Sequence, residues 1–320
     1  MRFRVTIGLW ALGAALVGCT GSGSQDAAAL AEIERADRMW SQGDIPRAVG
    51  VLQTVVAEHP DSFDAWYRLG IHRLDGDLRL AEDALDRAGK LNPEHPGPPF
   101  FTAMRRIRFS EFAKADEDMM RADALAQPRL GYSLADTSAA AKEGLDALLH
   151  ESYGEAAESF ARALETDGDN AVLLYLHGRA LLRNGAAKEA EDVVQRALAL
   201  NPDLAVAHVL MSELHRWRKQ VEEARREADL ALSQNPHLAA AHFQKGALNL
   251  EESEFRDAIL EFWAAVLDDP TVPRYHHLLG NTLQAASRPQ ATLHLQHVEW
   301  ARSFIGRKLA LPSYAAPGKP

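Results

Sequence analysis

The chain has 320 residues, 47% of them hydrophobic and 25% charged, with a formal net charge of −10, thirteen histidines and one cysteine. One cysteine rules out a disulfide framework and any zinc site that needs two thiolates. The acidic balance, with no basic stripe and interleaved aromatics to offset it, argues against nucleic acid as a partner, because like charge repels a phosphate backbone.

At the start, Arg2 and Arg4 precede an almost unbroken apolar run from Val5 to Val17. That run is shorter than the roughly 20 residues a helix needs to cross a bilayer, so residues 1–18 read as a signal peptide. The run closes on LVGC, Leu16 to Cys19, followed by GSGS. This stretch resembles the lipobox of bacterial lipoproteins. The resemblance implies cleavage before Cys19, attachment of diacylglyceryl and palmitate-type chains there, and a flexible tether over residues 19–28. Two or three acyl chains hold a protein firmly where one does not. In that family an aspartate after the cysteine favours the inner membrane; Thr20 stands there, which implies the outer membrane, facing the periplasm. Ordinary secretion with an incidental cysteine is the alternative. Removing residues 1–18 takes away two arginines and no acid, so the charge becomes −10 − 2 = −12.

Beyond the tether the chain repeats itself. LALNPDLAVAH, 198–208, returns 34 positions later as LSQNPHLAAAH, 232–242. A period of this length means a stack of small units sharing one continuous core. Ungapped units run over 171–204, 205–238 and 239–272, with Pro202, Pro236 and Pro270 at the thirty-second position. Proline disfavours helical geometry in the residue before it, so a helix must end there. Gly178, Gly246 and Gly280 hold the eighth position, and Ala190, Ala224 and Ala258 the twentieth. A helical glycine costs about 1 kcal/mol relative to alanine, so its recurrence predicts a close approach of two helices, with Phe262 filling the remaining seam.

This frame resembles the tetratricopeptide repeat, a helix-turn-helix unit. The resemblance implies an all-α fold: a right-handed superhelical solenoid of antiparallel helix pairs, about eight units long. Residues 29–128 form its divergent N-terminal repeats. Within them, 29–62 carries Gly43, Ala48, Leu52 and Pro60, and 63–95 carries Trp66, Gly70, Ala81 and Pro93. Residues 97–128 keep two amphipathic stretches and little of the motif. Residues 129–136 break the period and mark a joint. Residues 137–304 form the C-terminal repeats and a capping helix; in the last unit the motif drifts after Leu283, as expected where an outer face meets water. Residues 305–320 have no periodicity and are expected to be disordered.

His208, His242 and His276 share the fourth position, where Trp66 stands earlier. First helices spaced by about 8–10 Å keep three such imidazoles from one ion, since metal–nitrogen bonds are about 2.0 Å long. The ladder therefore reads as packing; metal or haem handling through the histidines is the alternative, and no metal or cofactor is assigned. No phosphate loop, dinucleotide fingerprint or nucleophile elbow is present, so no enzyme activity is expected.

In tetratricopeptide folds the first helices line a concave wall. Transferred by position, that wall carries Val172, Tyr175, Arg179, Leu182 and Arg183 in one unit. Val206, Val209, Glu213, Arg216 and Trp217 follow in the next, then Ala240, Phe243, Ala247, Leu250 and Glu251. Aromatics and arginines are enriched at interface hot spots, so Tyr175, Arg179, Arg183, Arg216, Trp217 and Phe243 are the expected partner-binding residues. Packing against neighbouring units is the other reading of the three aromatics. Val209 and Glu213 stand where the family's carboxylate clamp has lysine and asparagine, which argues against that clamp. The resulting expectation is a lipid-anchored scaffold docking a protein or peptide in its groove, as an assembly or adaptor subunit of an envelope complex.

Overall fold

The computed structural model describes residues 23–74, 76–108, 111–126 and 138–286, and every regular element among them is an α-helix. In chain order these are α1 (Gly23–Ser41), α2 (Ile45–Glu58), α3 (Phe63–His72), α4 (Leu78–Leu91), α5 (Gly97–Arg108), α6 (Phe112–Ala126), α7 (Ala139–Leu149) and α8 (Tyr153–Thr166). They continue as α9 (Ala171–Arg183), α10 (Ala187–Leu200), α11 (Ala205–Trp217), α12 (Val221–Gln234), α13 (Ala239–Glu251), α14 (Phe255–Asp268) and α15 (Pro273–Ala285). Each odd-numbered helix through α13 packs most extensively on the helix that follows it. Short turns make such neighbours antiparallel. The fold is the solenoid of helix pairs expected from the repeat: seven pairs, with α15 as the first helix of an eighth. α1 begins at Gly23, inside the stretch read as tether. The leader, Cys19, the joint at 129–136 and everything beyond residue 286, including the tail, lie outside the described residues.

The repeated sequence positions explain the local geometry. Asn170 caps α9, its Oδ1 accepting from the backbone N–H of Val172 and Leu173 at 3.1 Å each. Ser62 caps α3 and Ser138 caps α7 in the same manner, as such side chains do at helix starts. The turn inside five of the pairs has one described residue at positive φ: Gly43 and Gly185 at 87° and 89°, and Glu151, Lys219 and Ser253 at 58°, 62° and 67°. The eighth-position glycines hold the pairs together. A Cβ on Gly246 would stand 2.6 Å from the Phe262 ring, and one on Gly178 would overlap Val194 and come within 3.3 Å of the Ala190 carbonyl.

The fourth-position histidines have a specific structural use. Nε2 of His208, His242 and His276 donates to the carbonyl of Pro202, Pro236 and Pro270 at 2.9, 3.1 and 3.0 Å. Trp66 makes the same bond, Nε1–H to the Pro60 carbonyl, at 2.9 Å. The position therefore needs a ring N–H that satisfies the proline carbonyl six residues earlier and ties each inter-unit turn to the next helix. Nδ1 of His208 and His242 meets Glu227 and Glu261 at 2.6 and 2.7 Å. An acceptor on each nitrogen favours the protonated form of both rings. The Glu227 hydrogen bond raises the pKa of His208; at His242 burial opposes the charge, and the hydrogen bond and field of Glu261 outweigh it.

The core falls into two clusters. One runs through residues 141–214; the other joins residues 29–122 to 239–283, so the two ends of the array meet. Trp263 of α14 stacks on Trp40 of α1 at 4.1 Å and donates its indole N–H to Asp37 at 3.0 Å. Tyr67 of α3 donates its hydroxyl to the Leu267 carbonyl at 3.1 Å, and His276 of α15 stacks on Phe100 of α5 at 5.4 Å. In α15, His276 is buried, and Leu279 and Leu283 are fully enclosed, whereas the drifting positions Pro289, Thr292 and Gln296 lie outside the described residues. The same contact explains why residues 97–128 leave the motif, since Phe100 and Phe101 face α15 rather than a proline carbonyl. Burying an aromatic of about 200 Å², as at Trp263, stabilises the closure by about 5 kcal/mol.

Candidate docking surface

First helices touch one another along the stack: α1 meets α3, α3 meets α5, α9 meets α11 and α11 meets α13, whereas among the described residues no second helix has comparable contact with another second helix. Closer spacing on one side bends a stack toward that side, so the first helices form the inner wall. In the N-terminal stack this wall is filled, because α1, α3 and α5 receive α14 and α15 through Trp40, Tyr67, His72 and Phe100. On the inner wall of the C-terminal stack, from α9 to α15, Arg179, Arg183, Trp217, Glu251 and Arg274 are exposed.

The six residues expected to bind a partner occupy different depths there. Tyr175 and Phe243 are buried. Phe243 packs 5.1 Å from Tyr275 and 5.7 Å from Phe262, so it is an element of the core. Arg183 forms two contacts of 3.3 Å with Glu213, a carboxylate only 5% exposed. Arg216 reaches Gln244 at 3.1 Å and Glu251 at 2.8 Å, across to α13. Arg179 is exposed, and Trp217 is 50% exposed. Arginine side chains and the Trp217 indole therefore form the accessible part of the wall, with the other aromatics supporting them from behind.

Two contributors escaped the sequence reading. Arg274 lies with its guanidinium 4.7 Å above the Phe243 ring, and Tyr275 lies beside Phe243. Arg274 stands at the second position of its unit, equivalent to Val172, Val206 and Ala240; the frame that named those residues reaches it when extended by one unit. Its pKa is lowered, first by burial; Glu213 opposes this, and the neighbouring Arg183 and Arg216 add to it. Guanidinium groups thus sense one another across three helices.

A second concavity, about 640 Å³, lies at the closure seam between Asp64, Tyr67, Arg68, His95, His237 and Asp268. His237 Nδ1 is 3.2 Å from Asp268, which also lies 3.8 Å from His242 Nε2. Among the described residues no group of three or more His, Cys, Asp or Glu is arranged to hold a metal ion. The ladder histidines have Nε2 occupied by proline carbonyls. His294 and His297 lie outside the described residues. No described helix is long and apolar enough to cross a membrane.

Residues 33–96 and 147–214 match models of the tetratricopeptide repeat, and the chain carries such repeats in both stacks. A comparison with curated proteins gave no match. Among solved structures, a thermophilic TPR protein of Thermus thermophilus is 20% identical, with a TM-score of 0.47 over 54% of this chain and 98% of its own. MamA from Desulfovibrio magneticus RS-1 is 22% identical, with a TM-score of 0.40 over 52% and 97%. The Cut9–Hcn1 assembly of the APC/C is 17% identical, with a TM-score of 0.39 over 77% and 47%.

Proposed function

We propose that this chain of tetratricopeptide repeats is a non-enzymatic docking scaffold that holds a partner polypeptide along the inner wall of its C-terminal stack. The single supporting observation is the division between the two walls. One is filled by α14 and α15, and the other presents Arg179, Trp217 and Arg274 to solvent. Half-exposed tryptophan flanked by arginines is the composition of an interface hot spot. The metal- or haem-handling alternative draws no support from the ladder, whose Nε2 atoms serve the turns. The proposal includes lipid attachment at Cys19 and a place at the periplasmic face of a bacterial outer membrane, as an adaptor or assembly subunit; the LVGC stretch and Thr20 support that part.

Two variants test the two parts separately. Arg179→Glu with Trp217→Ala changes the wall without uncovering Glu213, and should abolish a crosslink to the partner formed from wild type in membranes. A crosslinked partner that survives the double change counts against the wall. Cys19→Ser should move the protein from the membrane to the soluble fraction, and unchanged membrane association would remove the lipid anchor from the proposal.

A further inference from the structure

We infer, on the basis of the docking reading above, that the ligand of this wall is an acidic polypeptide segment, its carboxylates gripped by Arg179, Arg183, Arg216 and Arg274. The charge count of the wall carries this. At the inner-wall positions of α7, α9, α11, α13 and α15 the acidic residues are Glu213 and Glu251, against those four arginines, so the wall is 4 − 2 = +2 on a chain of net −10. The two carboxylates engage Arg183 and Arg216. Arg179 and Arg274 have no carboxylate partner among the described residues, and Arg274 is held in place by its face on Phe243.

Guanidinium forks match carboxylates in a bidentate manner, and a charged hydrogen bond is about twice as strong as a neutral one. Like charges crowded on one wall repel until an anion enters, so binding relieves an existing strain. The half-exposed Trp217 indole at the end of α11 offers an apolar contact beside the cations, which suits a chain with side chains of both kinds. Arg183 on α9 and Arg274 on α15 lie within electrostatic reach of each other, so the guanidiniums form one patch that a short extended segment covers. A polypeptide fits better than a nucleic acid, whose regular phosphates would run from this small patch onto an acidic surface.

The test is fluorescence anisotropy on the full chain in detergent with a labelled peptide of about ten residues alternating glutamate and leucine. The controls are the matched glutamine peptide and an oligothymidylate of similar reach. The glutamate peptide should bind at least about tenfold more tightly than the glutamine peptide and weaken as salt rises. Arg179→Glu with Arg274→Glu should raise its Kd at least about tenfold, and the glutamine pair at the same positions by an intermediate factor. Arg47→Glu, the same charge change at an exposed residue of α2, should alter Kd less than about twofold. Thermal melts of both pairs, whose arginines make no internal ion pair, verify that the fold persists. Equal binding of the two peptides, with both lost in Trp217→Ala, would overturn the acidic preference and leave the docking wall standing. Binding of the glutamate peptide that ignores the arginine pair, or oligothymidylate binding of equal strength, would also overturn the inference. Failure of every peptide to bind would overturn it together with the docking reading.

Discussion

Acidifying the solution from about pH 7 to about pH 4.5 should weaken the fold through His72, and His72→Phe should remove much of that weakness. The ring lies buried beside the stacked Trp40 and Trp263, 5.8 Å from each, and neither nitrogen has a hydrogen-bond partner. Burial lowers its pKa to about 4, with Asp37 opposing and Arg68 reinforcing the shift. In the unfolded chain the ring takes a proton near pH 6.5. Between those values the unfolded state holds more protons, so stability falls as pH drops, by about 1.36 kcal/mol per unit. Over the two units from pH 6.5 to 4.5 the loss is about 2.7 kcal/mol, a large part of a stability that is typically 5–15 kcal/mol. His276, also lowered to about 4 by burial, adds a loss of the same sign in both proteins. The assay is urea unfolding at both pH values, followed by circular dichroism at 222 nm (about the helical minimum). His72→Phe should show an acid loss smaller than wild type by about 2–3 kcal/mol. Equal acid losses would refute the reasoning, since the ring would then be hydrated or partnered in the folded state.

Other positions give sharper contrasts. Gly246→Leu should cost at least about 3 kcal/mol, because Phe262 stands where the new side chain must go, whereas Gly50→Ala on the open face of α2 should stabilise by about 0.5–1 kcal/mol; thermal melts of both decide it. Ser253→Gly should raise stability by about 0.5–1 kcal/mol by relieving a residue held at φ 67°, and no gain would show that the turn is not left-handed. Glu227→Gln should lower the NMR-titrated pKa of His208, since the hydrogen bond to Glu227 is the main cause of its upward shift. An unmoved titration would mean that the pair is not formed.

The helix pairs were legible because their causes are local. Proline before a helix start and glycine opposite alanine each act within one unit, and α10, α12 and α14 end two residues before Pro202, Pro236 and Pro270. The histidines read as packing in the sequence, and their hydrogen bond is hidden there by the mixed chemistry of the position. Trp66 and His208 share nothing obvious in sequence except a ring N–H, which matters only once the proline carbonyl is seen beside it. The closure left no local trace: Asp37 and Trp263 are 226 residues apart, and each looks ordinary on its own helix. Drift from the motif in residues 97–128 and in the last unit was its only shadow. On the wall, position identified which residues face inward but not how deep they sit, so Arg179 and Trp217 are accessible while Tyr175 and Phe243 are core. Arg274 becomes legible only when the inner-wall frame is carried into the last unit.

Whether α14 fills the N-terminal inner wall, leaving the C-terminal wall as the open one, is measured most directly by a double-mutant cycle on Asp37 and Trp263. Urea unfolding of Asp37→Ala, Trp263→Phe and the combined variant isolates the energy of this one long-range contact from the other interactions of each residue. A closed array predicts a coupling of about 1–2 kcal/mol for the indole N–H on the carboxylate. Changes that add to within about 0.3 kcal/mol would contradict it, because two ends that do not touch cannot be coupled.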